Sequence, residues 1–223
     1  MTDLWLSGWS VGAEIWQRFV RDLPDRRHVV CDFSSCELPE DHVEVAASAL
    51  DEVGEARVIG WSLGAMVALE LAWRRPAAVQ SVSAVAASPR FTEGWDARVL
   101  RRMSQGLARD RDRVMADFDS LMFSPAERAE GLDRTWTDTQ RPCRQPLTAL
   151  QAGLTFLADF EARPAELAVP VSLLHGADDA VCPAAAVSRL AAALPDAELT
   201  VVDGAGHALP WTRPELIAQW LSA

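Results

Sequence analysis

Residues 60–64 read Gly60-Trp61-Ser62-Leu63-Gly64, and they separate two segments of different hydrophobic period. Before them, Ala56–Trp61 is a short apolar run of the kind that forms a buried strand. After them, Ala65, Met66, Val67 and Leu69 open a stretch that reads as helix. A strand that turns into a helix through G-x-S-x-G is the setting of a nucleophile elbow, in which a tight turn lifts a serine hydroxyl above the carboxyl edge of a sheet. Glycine is expected on both sides because so tight a turn leaves no room for side chains. The Leu63 amide and the helix N-terminus would then face a developing oxyanion. The pattern is short, and a glycine-bounded turn with an N-capping serine also accounts for it.

The chain downstream adds two pieces. Val169–Leu174 is an apolar run followed by Gly176-Ala177-Asp178-Asp179-Ala180-Val181-Cys182-Pro183, which sets a carboxylate just past a strand end. Glu198–Val202 is followed by Asp203-Gly204-Ala205-Gly206-His207, which sets a histidine on a glycine-flexed loop. A serine hydroxyl is a poor nucleophile while protonated and needs a base. The base in turn needs an acid to fix its tautomer and stabilise its charged form. Ser62, His207 and Asp179 are the candidates for these roles. Asp178 is adjacent to Asp179, but a G-x-x-D spacing favours Asp179 and leaves Asp178 solvated or capping the turn. Asp203 lies close enough in sequence to pair with His207, and reads rather as a cap on the strand-to-loop turn. His28 and His42 read as surface residues, and His175 as a packed or hydrogen-bonded residue at its strand end.

Upstream, Ser7-Gly8-Trp9-Ser10 follows the first strand. The loop after that strand is where a second oxyanion donor is expected, so the Trp9 amide is the candidate and its indole a pocket wall. A core tryptophan beside a turn glycine is the plainer reading of this tetrapeptide alone.

Over the whole chain, strands are expected at 4–6, 28–32, 56–61, 79–86, 169–174 and 198–202, alternating with helices at about 13–22, 41–52, 63–74, 184–194 and 213–222. That alternation predicts an α/β fold with a mostly parallel sheet of about six strands. Between residues 88 and 163 it breaks into amphipathic helices punctuated by Pro89, Pro125, Pro142, Pro146 and Pro164. The stretch is too long for a loop, so residues 88–163 are expected to form an inserted helical cap on a core made of residues 1–87 and 164–223.

Composition narrows the classes further. The 223 residues carry a formal charge of -11, and all 21 basic residues are arginine. Nucleic acid is an improbable partner for such a surface. No apolar stretch is long enough to span a bilayer. Cys31, Cys36, Cys143 and Cys182 form no C-x-x-C pair or zinc-finger spacing, so no metal is expected. Nothing before the first strand has the build of a signal peptide, and a reduced, cytoplasmic monomer is expected.

These motifs together resemble one family. Gly8-Trp9, the Gly60–Gly64 pentapeptide, Ser88-Pro89-Arg90-Phe91, the Gly176-to-Pro183 segment and Gly206-His207-Ala208-Leu209-Pro210-Trp211 are similar to the BioH-like pimeloyl-[acyl-carrier-protein] methyl ester carboxylesterases of the α/β-hydrolase superfamily. The chain order Ser, Asp, His is that of the superfamily. The resemblance implies the α/β-hydrolase fold, no cofactor, and hydrolysis of a methyl ester on an acyl-carrier-protein-bound pimeloyl chain in biotin biosynthesis. It carries the nucleophile to Ser62, the acid to Asp179, the base to His207 and the oxyanion amides to Trp9 and Leu63. Substrate contacts fall to Trp9, Phe118, Arg113 and Arg128, the two arginines as grips on an acidic carrier protein. The chain departs from the pattern at Asp117, which replaces a family arginine, and at Ser7, where a histidine is usual. It also lacks the early antiparallel hairpin and has a shortened segment Asp32–Cys36.

Two other readings stay open. One is a general carboxylesterase or thioesterase on small acyl substrates. The other is a ligand-binding homologue that keeps the fold without turnover, because function lives in the site rather than the fold. From Arg90 to Arg144 the chain has 11 arginines against 10 acidic residues, so the cap is near neutral on an acidic chain. An acidic carrier would therefore dock cap-first.

Overall fold

The computed structural model describes residues 1–140 and 145–222; Arg141, Pro142, Cys143 and Arg144, which entered the reading above, lie outside the described residues. Six strands form one sheet: β1 (Thr2–Leu6), β2 (Arg27–Cys31), β3 (Ala56–Trp61), β4 (Val79–Val85), β5 (Val171–Gly176) and β6 (Glu198–Val202). Their order is β2-β1-β3-β4-β5-β6, and every pairing is parallel. Strands covered on both faces carry near-continuous apolar runs, and β3 is intermediate only at Arg57. The expected fifth strand starts two residues late, because Pro170 has no amide hydrogen to give the ladder. Its carbonyl still accepts from Val82 N at 2.9 Å.

Register is locked electrostatically at the amino end of the sheet. Asp3 stands opposite Arg57. Its buried carboxylate takes two bonds from that guanidinium, at 2.9 and 3.0 Å, and two from Arg26 at 3.1 Å. Fork-to-carboxylate geometry of this kind satisfies a charge that would otherwise be costly to bury.

The sheet is wrapped by α1 (Gln17–Asp22), α2 (Asp41–Val53), α3 (Leu63–Arg74), α9 (Ala184–Ala193), α10 (Leu209–Thr212) and α11 (Pro214–Ser222). The expected helix at 13–22 begins as a tighter 3₁₀ turn, Ala13–Trp16. Between β4 and β5 lie α4 (Ala97–Leu107), α5 (Arg111–Asp119), α6 (Pro125–Ala129), α7 (Leu132–Gln140) and α8 (Leu147–Asp159), with no strand among the described residues. Side-chain oxygens cap three of them, Asp96 to Arg98 N, Asp110 to Arg113 N and Ser124 to Glu127 N.

The connectivity decides where a site can form. β1 has β2 on one flank and β3 on the other, so the chain switches direction across the sheet between β1 and β3. The carboxyl ends of strands at such a switch open a crevice. The loop carrying Trp9 and the turn carrying Ser62 leave those two strands.

Candidate active site

Ser62 sits at φ 57°, ψ −118°, a conformation few non-glycine residues adopt. Its amide donates to Val85 O at 2.9 Å, and its carbonyl accepts from Ala65 N and Met66 N at 2.9 and 3.1 Å. A Cβ on Gly60 would lie 2.3 Å from Gly64 O, and one on Gly64 would lie 2.2 Å from Leu6 O. Both glycines are therefore required by close backbone approach. Because α3 begins at Leu63, that amide is one of the first-turn donors without an intrahelical acceptor.

His207 is buried, and all four of its polar atoms are engaged. Nε2 lies 2.8 Å from Ser62 Oγ and Nδ1 lies 2.7 Å from Asp179 Oδ2. Its amide donates to Met122 O at 2.8 Å, and its carbonyl accepts from Trp61 Nε1 at 2.9 Å. With the Nδ1 hydrogen donated to a carboxylate, Nε2 is left to accept from the serine hydroxyl. The other oxygen of Asp179 accepts from the amides of Val181 and Cys182 at 2.8 and 2.7 Å, so the carboxylate is held by its own turn. Asp178 is exposed and its amide donates to Ala205 O at 3.0 Å. Asp203 is also exposed.

The remaining histidines divide differently from the sequence reading. His175 is packed as expected, with Nε2 at 2.7 Å from Cys182 O and 3.5 Å from Asp179 Oδ2. Burial holds its pKa below the ordinary histidine value although Asp179 pulls the other way. His42 is not a surface residue. It is buried between Phe33 and Phe156, with Nδ1 at 3.1 Å from Pro39 O. The His28 ring is nearly covered as well, because it accepts from Trp5 Nε1 at 3.1 Å and lies 2.7 Å from Leu23 O. Residues distant in sequence pack against both rings, Trp5 against His28 and Phe156 against His42.

The Trp9 ring is buried against α8. Its Nε1 donates to Leu150 O on α8 at 2.9 Å, and Phe118 meets it edge-on at 4.9 Å. Gly153 on α8 lets the helix lie against that ring, since a Cβ there would come within 2.7 Å of it. Ser10 at φ 66° turns the chain away immediately after Trp9. Phe118 is buried and continues toward Trp95 and Phe91.

Arg113 and Arg128 have different partners. The Arg113 side chain is 78% exposed and lies 3.9 Å from Asp117 one helical turn on. Arg128 donates from Nε to Phe123 O at 3.2 Å, and its guanidinium also reaches Ser120 O. Sequence reading missed Trp61 as a ligand of His207, and it missed Met122 and Glu127 beside the base. Ser124-Pro125-Ala126-Glu127 does carry the S-x-x-E pattern of a capping box, but nothing local says what the glutamate will touch.

Among the described residues no group of His, Cys, Asp and Glu is disposed to hold a metal, and no helix is long and apolar enough to cross a membrane. Cys31, Cys36 and Cys182 are buried free thiols. Burial pushes Cys31 and Cys36 up to about 12, so none of these reads as a thiolate nucleophile.

Comparison with known proteins agrees with the fold. The model of an alpha/beta hydrolase family matches residues 4–220. The pimeloyl-[acyl-carrier protein] methyl ester esterase of Nitrosomonas europaea is 31% identical over 94% of this chain and 90% of its own length. That of Aromatoleum aromaticum is 32% identical over 94% and 92%. A thermophilic esterase from Thermogutta terrifontis superposes with a TM-score of 0.84 at 17% identity, covering 100% of this chain and 88% of its own. An enol-lactonase from Burkholderia xenovorans superposes with a TM-score of 0.85 at 16% identity, covering 99% and 89%. These two structures speak for the fold alone.

Proposed function

The chain belongs to the alpha/beta hydrolase family, and we propose that it is a serine carboxylesterase that hydrolyses the methyl ester of pimeloyl-acyl carrier protein. The observation that carries the chemistry is the continuous run Ser62 Oγ, His207 Nε2, His207 Nδ1, Asp179 Oδ2, at 2.8 and 2.7 Å, on a strained strand–helix turn. The relatives named as esterases of that substrate, at about a third identity over nearly the full chain, support this choice of substrate.

In this reading Ser62 Oγ attacks the ester carbonyl carbon while its proton passes to His207 Nε2. Asp179 keeps the imidazole in the tautomer that can accept that proton, and stabilises it once charged. The carbonyl oxygen takes up negative charge against the amides of Leu63 and Trp9, reinforced by the α3 N-terminus. Collapse breaks the bond to the methoxy oxygen, which leaves as methanol with the proton from His207. Water then gives His207 a proton and attacks the Ser62 acyl ester, which releases the free carboxylate and restores the serine. No cofactor enters any of these steps.

Residues 88–163 act as a cap over the carboxyl edge, with α8 and Phe118 against Trp9 lining the acyl path. In this reading Arg113 and Arg128 meet the acidic carrier. Asp117 stands beside the first arginine, and backbone carbonyls occupy the second. That observation favours a second reading, a general carboxylesterase or thioesterase working on small acyl substrates with the same triad.

Rescue of a biotin auxotroph lacking its methyl-ester esterase tests the substrate. Growth without biotin, together with methanol release from the carrier-linked ester by purified protein, is expected. Turnover of small esters with no action on the carrier-linked one would hand the assignment to the second reading. No turnover and no labelling by a serine-directed fluorophosphonate would overturn both.

A further inference from the structure

The loop that carries His207 contains Gly204 at φ 70° and Gly206, and has little stiffness of its own. It is gripped by the turn ahead of α6 and by α6 itself. Met122 O accepts from His207 N and Ala208 N at 2.8 and 3.1 Å. Ser124 Oγ donates to Gly204 O at 2.6 Å. Glu127 Oε2 accepts from Gly206 N at 3.0 Å while also accepting from Ser124 N at 2.9 Å. Gly206 is required for this approach, since a Cβ there would lie 2.6 Å from Met122 O and 2.7 Å from Ser124 N.

Glu127 does more here than a helix cap requires. A capping-box glutamate need only reach the N-cap amide, and it can do so at the surface. This one is fully buried, and its second oxygen has no hydrogen-bond partner among the described residues. Burying a carboxylate with one oxygen unmatched is unfavourable, so the position is a poor choice for capping alone. The oxygen that is satisfied bonds the amide adjacent to His207, 79 residues away. Arg128, next in sequence, braces the same turn through the carbonyls of Phe123 and Ser120.

We infer that Glu127 is a positioning residue for His207: its grip on Gly206 N fixes the loop so that the imidazole stands between Ser62 Oγ and Asp179 Oδ2. The inference rests on the triad reading above. It also makes α6 part of the catalytic geometry rather than only a cover for the acyl path, because a displacement of about 1 Å at a reacting group can lower a rate by about a hundredfold.

Kinetics on a short p-nitrophenyl ester, with fluorophosphonate labelling rates and thermal melts, test it in Glu127→Ala, Glu127→Gln and Ser124→Ala. Glu127→Ala should lower kcat by about ten- to a hundredfold with KM within about twofold, and slow labelling in parallel. Glu127→Gln keeps an acceptor for Gly206 N and should hold kcat within about threefold of wild type. Ser124→Ala loses one of the loop bonds and should lower kcat by about three- to tenfold, which keeps a readout if Glu127→Ala fails to fold. Folded variants that melt earlier yet keep wild-type kcat would reduce Glu127 to a helix cap and overturn the inference. Glu127→Gln as impaired as the alanine variant would also overturn it, by showing that charge rather than an acceptor is needed. A wild type that neither turns over nor labels would instead sink the triad reading.

Discussion

Trp61 Nε1 donates to the carbonyl oxygen of His207 at 2.9 Å, so the residue before the nucleophile holds the main chain of the base. The elbow thus fixes the partner of Ser62 as well as Ser62 itself. The Trp61 ring also lies against the imidazole at 5.9 Å and edge-on to Trp136 at 6.4 Å.

Trp61→Phe retains an aromatic ring and removes the N–H. The His207 carbonyl is then left buried without that donor, which costs about 1–3 kcal/mol. The variant is expected to melt earlier and to show a lower kcat on a small ester. Wild-type kcat would show that Met122 and Asp179 hold His207 without help from the elbow.

Ser62→Ala and His207→Ala should each abolish turnover of a p-nitrophenyl ester, with losses of several orders of magnitude, about 10⁴-fold or more. Circular dichroism and melting should show the fold intact, since neither side chain supports the sheet. Near-normal activity in folded Ser62→Ala protein would remove the serine mechanism.

Asp179→Asn should damage kcat far more than Asp178→Asn. Asp179 accepts from His207 Nδ1 and from two amides of its own turn, while Asp178 faces solvent. An asparagine that presents its amide nitrogen to His207 stabilises the wrong tautomer, and the comparable change in a known triad costs about 10⁴-fold. The opposite ranking would move the acid to Asp178.

Gly64→Ala should fail to fold or be severely destabilised, by more than the roughly 1–3 kcal/mol of an ordinary overpacked site. Its Cβ would meet backbone, Leu6 O at 2.2 Å and Ser7 O at 2.6 Å, which cannot rotate away. Denaturant titration of any soluble protein recovered measures this, and a midpoint equal to wild type would contradict the packing.

Burial holds the pKa of His42 and of His175 below the ordinary histidine value. The unfolded chain takes up these protons near pH ~6.5 while the folded protein resists them. Stability is therefore intact above that pH and falls as pH drops through and below it. His42→Phe, which keeps a ring between Phe33 and Phe156, should lose less stability between about pH 7 and pH 5.5 than wild type. Urea titrations at the two pH values measure the slopes, and equal slopes would show that His42 does not carry the effect.

The elbow and the loops bearing Asp179 and His207 are legible in the sequence because each depends on a few consecutive residues, whereas the strand order β2-β1-β3-β4-β5-β6 is not. A glycine on either side of a serine, a G-x-x-D turn after an apolar run and a histidine on a two-glycine loop have local backbone causes. Strand positions were legible to within a residue or two for the same reason, and the shift at β5 came from a single proline. What joins those pieces was not legible. The bond from His207 to Ser62 spans 145 residues and that from Gly206 to Glu127 spans 79. His42 looked exposed until Phe156 was placed over it. Arg128 donates to the carbonyls of Phe123 and Ser120, partners that no local pattern announces. A sequence pattern reports periodicity and local turn chemistry; which buried donor meets which acceptor is decided only when the sheet register and the seating of the helical segment between β4 and β5 bring distant groups within 3 Å, because a hydrogen bond needs that distance and favourable alignment.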